Sequence, residues 1–379
     1  MSTDSEYKPH SHIPYGSDGS GFYSDNSKGC YDVIEEALPL VLKAASTTAT
    51  PKDSTFTIVD YGCADGGTSM PLMYALVKLL RENDEKMPIH IVYEDQPVND
   101  FKSVFMRLQG LIPGPRSYIM DFKNVFVTAS GTSFFSQCLP ANSVTLGFSA
   151  TAMHWLHDKP CDITGALDHT MISDPKEKEL FARQAAIDWE TILLHRAAEL
   201  RPGCSMVLVL LAVDDEGQYA GNTKDTPVSV HHQMRDLWQG LVDDGTITKD
   251  EFLKTNFNLY FRTMAECRNP FDDENSAVRK AGLEIVSMKT GIVPCPYRQK
   301  WLKERGDPHE FAKWYIPTLR TWSNSTFRSG LSDDRTDKEK DAIVEEFFRR
   351  YEADVVTDPS RHGVNFVHCY MVIKKRSDL

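Results

Sequence analysis

A doubly wound α/β sheet under a helical cap is what the 379-residue chain predicts, on three observations. Short β-branched runs alternate with segments of helical period from residue 56 to about 213. One of those runs opens straight into a cluster of glycines. Beyond residue 216 the alternation gives way to helical and irregular segments rich in aromatics. Strand–helix alternation is the pattern of a parallel sheet covered by crossover helices. A glycine-rich turn at a strand tip is where such sheets let a ligand approach the backbone.

The elements follow in order. Residues 1–25 are polar and rich in Gly, Pro and Ser, and predict a loose arm. "CYDVIEEALPLVLKAA" carries apolar residues at helical spacing and predicts a helix despite Pro39. "FTIVDYG" predicts a buried strand, followed by the glycine turn "CADGG" and a helix in "SMPLMYALVKLLREN". "IHIVYEDQP" predicts a second strand ending in two acids, then come a helix in "DFKSVFMRLQG" and a strand in "VFVTASG". "SVTLGFSATAMHWL" predicts a strand running into a turn, and residues 175–200 a charged helix. "PGCSMVLVLLAV" is the clearest buried strand, and the alternating "NFVHCYMVIKK" near the end predicts a return to the sheet. The expected division is an arm over 1–25, a sheet domain over 26–215 plus 360–379, and a mainly helical cap over 216–359.

Composition narrows the function. The net charge of −12, with acids spread along the chain, argues against a nucleic-acid partner, which demands a basic surface. The eight cysteines form no CxxC pair and no Cys/His ligand spacing. With no signal-like start, they predict reduced thiols in a cytoplasmic protein. The longest apolar runs are too short to span a membrane, and nothing repeats at a solenoid period.

The glycine turn reads G-C-A-D-G-G, not the G-x-G-x-x-G of a pyrophosphate site. Asp60 and Asp65 make it a poor place for an anion and a better one for a ligand bearing an amine or a sulfonium. S-adenosylmethionine (SAM) bears both. About thirty residues on, Glu94-Asp95 ends the second strand, where a carboxylate can accept two hydrogen bonds from ribose hydroxyls. Taken singly, the turn also reads as a strand–helix corner, and the acid pair as a solvated loop.

Five segments in sequence resemble motifs of one family: "DYGCADGGTS", "YEDQPVNDFKSVF", "GTSFFSQCLPANSVTLGFSATAMHWL", "LRPGCSMVLVLLA" and "NFVHCYMVI". They look like the SABATH methyltransferases, the salicylate, benzoate and jasmonate carboxyl methyltransferases with caffeine synthase as an N-methylating relative. The resemblance spans nearly the whole chain. It implies a Rossmann-like SAM-binding sheet with an α-helical cap enclosing the substrate, SAM as cofactor, and a homodimer. By the same resemblance Tyr23 and Ser27 fold over the cofactor, with Asn26 on the family's Asn. Asp60 and Gly62 form its strand-tip site, Asp95 takes the ribose, Gln96 flanks the adenine, and Ser133 and Phe134 frame the ring. His154 and Trp155 fall on the pair that grips the substrate carboxylate, His231 or His232 lies over the substrate, and Phe366 forms the pocket floor.

Three departures stand out. The family's carboxylate-binding Gln falls on Cys30, its Tyr on Thr151, and the Asn of the glycine turn on Thr68. Cys30 and Thr151 therefore stand at substrate-binding positions with weaker or shorter donors. The segment resembling a magnesium motif, Asn256 to Asn258, follows Thr255 where an acid is usual, so no metal is expected. The expected activity is methyl-ester formation on a small-molecule carboxylic acid, which needs no catalytic base because the acceptor is ionised at neutral pH. Open alternatives are an N- or phenol O-methyltransferase, or a binding protein on the same fold.

Overall fold

The computed structural model describes residues 13–48 and 54–378. Residues 1–12 of the expected arm, with His10 and His12, lie outside the described residues.

Among the described residues there are eight strands: β1 (Phe56–Tyr61), β2 (Ile89–Glu94), β3 (Val125–Ser130), β4 (Val144–Ala150), β5 (Leu200–Val213), β6 (Arg262–Thr263), β7 (Leu283–Val293) and β8 (Phe366–Lys375). They form one sheet in the order β3-β2-β1-β4-β5-β8-β7, with the two-residue β6 paired to β5. β1 to β5 run parallel, and β8 and β7 pair antiparallel at one side. Every residue of β1 is buried, as expected of a strand covered on both faces. The strand order reverses direction between β1 and β4. That switch point opens a crevice at the carboxyl ends of the strands.

Helices α1 (Phe22–Asn26), α2 (Lys28–Thr47), α3 (Met70–Asn83), α4 (Phe101–Leu108) and α5 (Pro175–Glu199) surround the sheet. α2 runs unbroken through Pro39, and its buried stripe of Val33, Ile34, Ala37, Val41, Ala44 and Ala45 offsets the lost backbone bond. The expected loose arm is different in residues 13–25. They lie across the strand tips, with Gly19 N donating to Asp100 Oδ1 (2.9 Å) and Gly21 N to Ser103 Oγ (2.9 Å).

The cap contains α6 (Val230–Asp243), α7 (Lys249–Lys254), α11 (Pro308–Ser329) and α12 (Asp337–Thr357). Its own core is aromatic: Phe327 and Phe347 have ring centroids 4.1 Å apart, and the Trp238 ring packs tilted against Phe327 at 4.8 Å. Short helices α8 (Met264–Asp272), α9 (Ala277–Lys280) and α10 (Pro296–Glu304) complete the chain.

One segment expected within the cap belongs elsewhere. Leu283–Val293 is the edge strand β7, paired along its length with β8. Just before it, α8 is tied to α5 by Trp189 Nε1 donating to the Cys267 carbonyl at 3.0 Å. An edge strand buries one side only, so Glu284, Ser287, Lys289 and Thr290 dilute its apolar signal.

Candidate active site

β1 ends at Asp60-Tyr61 and the chain turns at once through Gly62. Gly62 has φ +75°, and a β-carbon there would fall 2.3 Å from that of Ala152. Only glycine passes between the β1 tip and the loop after β4. Its N–H donates to the Glu94 carbonyl at 2.9 Å and approaches Glu94 Oε2 at 3.2 Å. Glu94 is therefore a buried prop for the turn, and Asp95 is the acid left at the β2 tip. Asp95 Oδ2 accepts from Ala64 N (2.8 Å) and Oδ1 from Gln96 N (2.7 Å). Each oxygen keeps a lone pair for a further donor.

Asp60 is 2% exposed, and its Oδ2 accepts from Ser69 Oγ at 2.5 Å. Burial pushes its pKa up to about 7, against the pull of Ser69 and with a push from Asp95. Burial likewise raises Asp95 to about 6. Two carboxyls whose ionised forms are penalised by burial sit side by side at the strand tips. A bound cation would relieve both. Nearby, Ser133 Oγ is buried with no hydrogen-bond partner among the described residues, and the nearly buried Phe134 faces Gly62.

Asp65 plays another part than the sequence suggests. Its carboxylate accepts from Ser24 N (3.0 Å) and Ser24 Oγ and pairs with Arg107 Nη2 at 3.3 Å. Its charge is spent on holding α1 over the turn, so the demand for a cationic ligand falls on Asp60 and Asp95.

Above the tips lies a cavity walled by the sheet on one side and the cap on the other. The loop after β4 contributes Thr151, His154 and Trp155. Tyr23, Ser27, Gly29 and Cys30 come from the α1–α2 junction, His231 from α6 and Phe366 from β8. All six residues expected around the substrate thus line one cavity, together with Tyr23 and Ser27 from the expected cofactor set. His154 and Trp155 have ring centroids 5.2 Å apart, and the His154 carbonyl accepts from Tyr260 N at 2.8 Å. Trp155 forms a β-bridge with Leu259, which fixes this loop against the cap. Gly29 makes room for the floor: a β-carbon there would lie 2.4 Å from the Phe366 ring. Thr318 Oγ1 donates to the Asn26 carbonyl at 2.6 Å, binding α11 to the same junction.

The histidine of the pair 231/232 that enters the cavity is His231; His232 is exposed. His231 Nε2 lies 3.0 Å from the Ala220 carbonyl and Nδ1 2.6 Å from Asp168 Oδ2, an ion-pair distance although the N–H is out of line with the oxygen. Burial pushes its pKa down, but Asp168 outweighs that and leaves it raised; Asp168 in turn is held well below the usual carboxylate range by His231, against its own burial. Both ring nitrogens face protein acceptors, the Ala220 carbonyl and the Asp168 carboxylate, rather than the cavity. Cys30 is pushed up to about 11 by burial and is a neutral thiol.

The segment resembling a metal motif is used for packing. Asn258 Nδ2 donates to the Leu156 carbonyl (2.9 Å), and Asn256 Oδ1 faces Ile163 N and Lys159 Nζ, both at 3.3 Å. Among the described residues no group of three or more His, Cys, Asp and Glu is placed to hold a metal ion.

Sequence reasoning missed the far wall of the cavity: Phe261, Leu259, Thr321, Trp322 and Val364. Thr321 and Trp322 sit three and four residues beyond Thr318 on α11, on the one face that turns inward, a signal that marks them as buried but not as pocket wall. His368 was missed as well, because a lone histidine in a strand pattern reads as core.

A mostly parallel sheet with two acids at adjacent strand tips, under a cap that closes over a mostly apolar slot, has the layout of a nucleoside-cofactor-binding protein of the Rossmann-like class. The sequence model described as SAM dependent carboxyl methyltransferase matches residues 10–376. The chain belongs to that family, and SAM is its cofactor. Its relatives include the methyltransferase FUS9 of Gibberella fujikuroi, 27% identical over 261 residues, which is 67% of this chain and 66% of that protein. The chain thus matches just under two thirds of that relative's length. Indole-3-acetate O-methyltransferase 1 of Arabidopsis thaliana is 25% identical over 311 residues, 72% of this chain and 76% of that protein. Among solved structures, loganic acid methyltransferase with SAH shares the fold at a TM-score of 0.71, with 19% identity over 96% of this chain and 98% of that one. No helix among the described residues is long and apolar enough to cross a membrane.

The strand-tip residues fit SAM. Among the described residues Asp60 and Asp95 lack a cationic partner and Ser133 Oγ has a donor and an acceptor unused, while the spare lone pairs of Asp95 suit a diol.

Proposed function

We propose that the protein transfers the methyl group of SAM to the carboxylate of a small-molecule acid, giving a methyl ester. The observation that carries this is how two ionisable residues of the cavity wall, His231 and Cys30, are held. His231 has both nitrogens committed to acceptors, and Cys30 is a neutral thiol. Neither is placed to take a proton from an acceptor in the cavity. A carboxylate, ionised above about pH 4, needs none removed.

When bound, SAM supplies a methyl group activated by its sulfonium. Tyr23, Ser27, Asp60, Gly62, Asp95, Gln96, Ser133 and Phe134 hold it at the strand tips. His154 and Trp155 orient the acceptor oxygen, with Cys30 and Thr151 beside them and Phe366 and His231 closing the slot. The Trp155 indole N–H suits an oxyanion because it donates without burying an opposite charge. Holding the oxygen in line with the departing sulfur is worth up to roughly 7–11 kcal/mol. The mostly apolar wall keeps water from competing as acceptor and strengthens each hydrogen bond to the anion.

We extend the proposal to a homodimer in the cytoplasm, supported by family likeness and by eight free thiols. The test is incubation of the purified protein with methyl-labelled SAM and a broad panel of carboxylic acids. Labelled ester from at least one acid supports the reading. Label that appears only on amines or phenols overturns it.

A further inference from the structure

Thr151 follows directly on β4 with φ +54°, a left-handed conformation that a β-branched residue adopts only under strain. Two bonds hold it there. Its N–H donates to the Val209 carbonyl at 2.8 Å, and its Oγ1 lies 2.9 Å from His368 Nε2. The backbone kink puts the hydroxyl in the cavity wall, in the same loop as His154 and Trp155.

His368 is fully buried on β8, opposite Leu211 of β5 and Gly291 of β7. Burial pushes its pKa down to about 3, so the ring is neutral and carries a single N–H. Its Nδ1 has no hydrogen-bond partner among the described residues. Two tautomers are available. With the proton on Nδ1, a buried donor is orphaned and the Thr151 hydroxyl must give its hydrogen to Nε2. With the proton on Nε2, that N–H donates to Thr151 Oγ1, only a lone pair is left bare, and the Thr151 hydrogen is free. An unmade buried donor costs about 1–3 kcal/mol. The second tautomer avoids it.

We propose that His368 is a positioning residue: its Nε2–H donates to Thr151 Oγ1 and turns the Thr151 hydroxyl hydrogen into the cavity as a donor to the acceptor anion. The pair supplies a hydrogen bond that the Cys30 thiol, across the same cavity, supplies poorly. The inference rests on the reading that this cavity receives a carboxylate, and it adds a residue outside the first turn of chain around it.

Two experiments on the full chain decide it. Long-range proton–nitrogen NMR of the histidine-labelled protein, with His368→Phe for assignment, reads the tautomer directly. A protonated Nε2 with a bare Nδ1 supports the proposal, and the reverse pattern overturns it. Kinetics with an acid that the wild type methylates supply the second readout. Thr151→Val should raise KM for the acid about tenfold or more with the SAM dissociation constant nearly unchanged, while Thr151→Ser stays within about threefold of wild type. His368→Phe should show the same KM-centred defect, and combining it with Thr151→Val should add little. An unchanged KM in Thr151→Val, or a Thr151→Ser variant as poor as it, overturns the proposal. Absence of turnover on every acid strikes the carboxylate reading, whereas the tautomer still decides the arrangement of Thr151 and His368.

Discussion

Arg107 of α4 reaches under the N-terminal segment to place Nη2 3.3 Å from Asp65 Oδ2, with both side chains 2% exposed. The same nitrogen lies 2.8 Å from Asp25 Oδ1 and donates to the Gly21 carbonyl at 2.6 Å. One guanidinium thus joins the glycine turn, α4 and the segment that carries Tyr23 and Ser27. Removing one partner of a buried pair strands the other, at a cost of about 3–5 kcal/mol. Arg107→Ala is expected to lose stability of that order in denaturant unfolding and to weaken SAM binding, because the wall holding Tyr23 and Ser27 loses its anchor. Full stability in that variant would show that the segment is held by other contacts.

SAM affinity should depend on pH through Asp60 and Asp95. Their pKa values, raised by burial to about 7 and about 6, leave both carboxyls protonated in mild acid. A neutral carboxyl neither attracts a cation nor accepts as well from a ribose hydroxyl. Calorimetry should therefore show the dissociation constant rising as pH falls through 7, by up to about tenfold per unit for each of the two groups that must lose its proton.

The same two groups set a stability trend of opposite sign. A carboxyl whose folded pKa is raised favours folding below its unfolded value, near pH 4, and this contribution is lost as pH rises through the folded value. Asp60→Asn removes that loss. The ligand-free variant should melt higher than wild type at pH 8, with the advantage vanishing toward pH 4, while binding SAM more weakly at pH 8. A variant that melts lower at pH 8 would mean that the ionised carboxylate is structural.

Trp155→Ala is expected to lower turnover by at least about a hundredfold, the scale of removing a donor aimed at a reacting oxyanion. SAM affinity should change by less than about threefold, since Trp155 lies in the acceptor cavity and not at the strand tips. Equal loss of both, read by product assay and calorimetry, would assign the residue to structure.

Gly29→Ala tests the pocket floor. The new methyl would fall 2.4 Å from the Phe366 ring, which must then tilt into the cavity. The expected result is a raised KM for the acid, relieved in part by adding Phe366→Leu. An unaffected KM would show that the ring yields elsewhere.

Much of this architecture was legible in the chain. The β1 strand, the glycine turn, the Asp95 tip and the turn after β4 follow from local pattern, because parallel strands are continuous apolar runs and their tips are marked by glycines and acids, whereas His154-Trp155 stood out only through the family resemblance. The role of Asp65 was not legible. Its partners Ser24 and Arg107 are 41 and 42 residues away in the chain, and only the fold brings them together. β7 was hidden by the polar residues that face solvent at a sheet edge. Thr151 looked like a lost contact beside a shortened side chain. Its left-handed backbone and its bond to His368, 217 positions on, are what place its hydroxyl in the cavity wall.

The most direct test of a carboxylate acceptor is the behaviour of the labelled product in mild alkali. A methyl ester made from methyl-labelled SAM and an acid saponifies, so the label should leave as volatile methanol, and the rate of its formation should stay flat from about pH 7.5 to 9. Label that survives alkali on a non-volatile product, formed at a rate climbing with pH, would mark a methylated nitrogen or phenol and contradict the account.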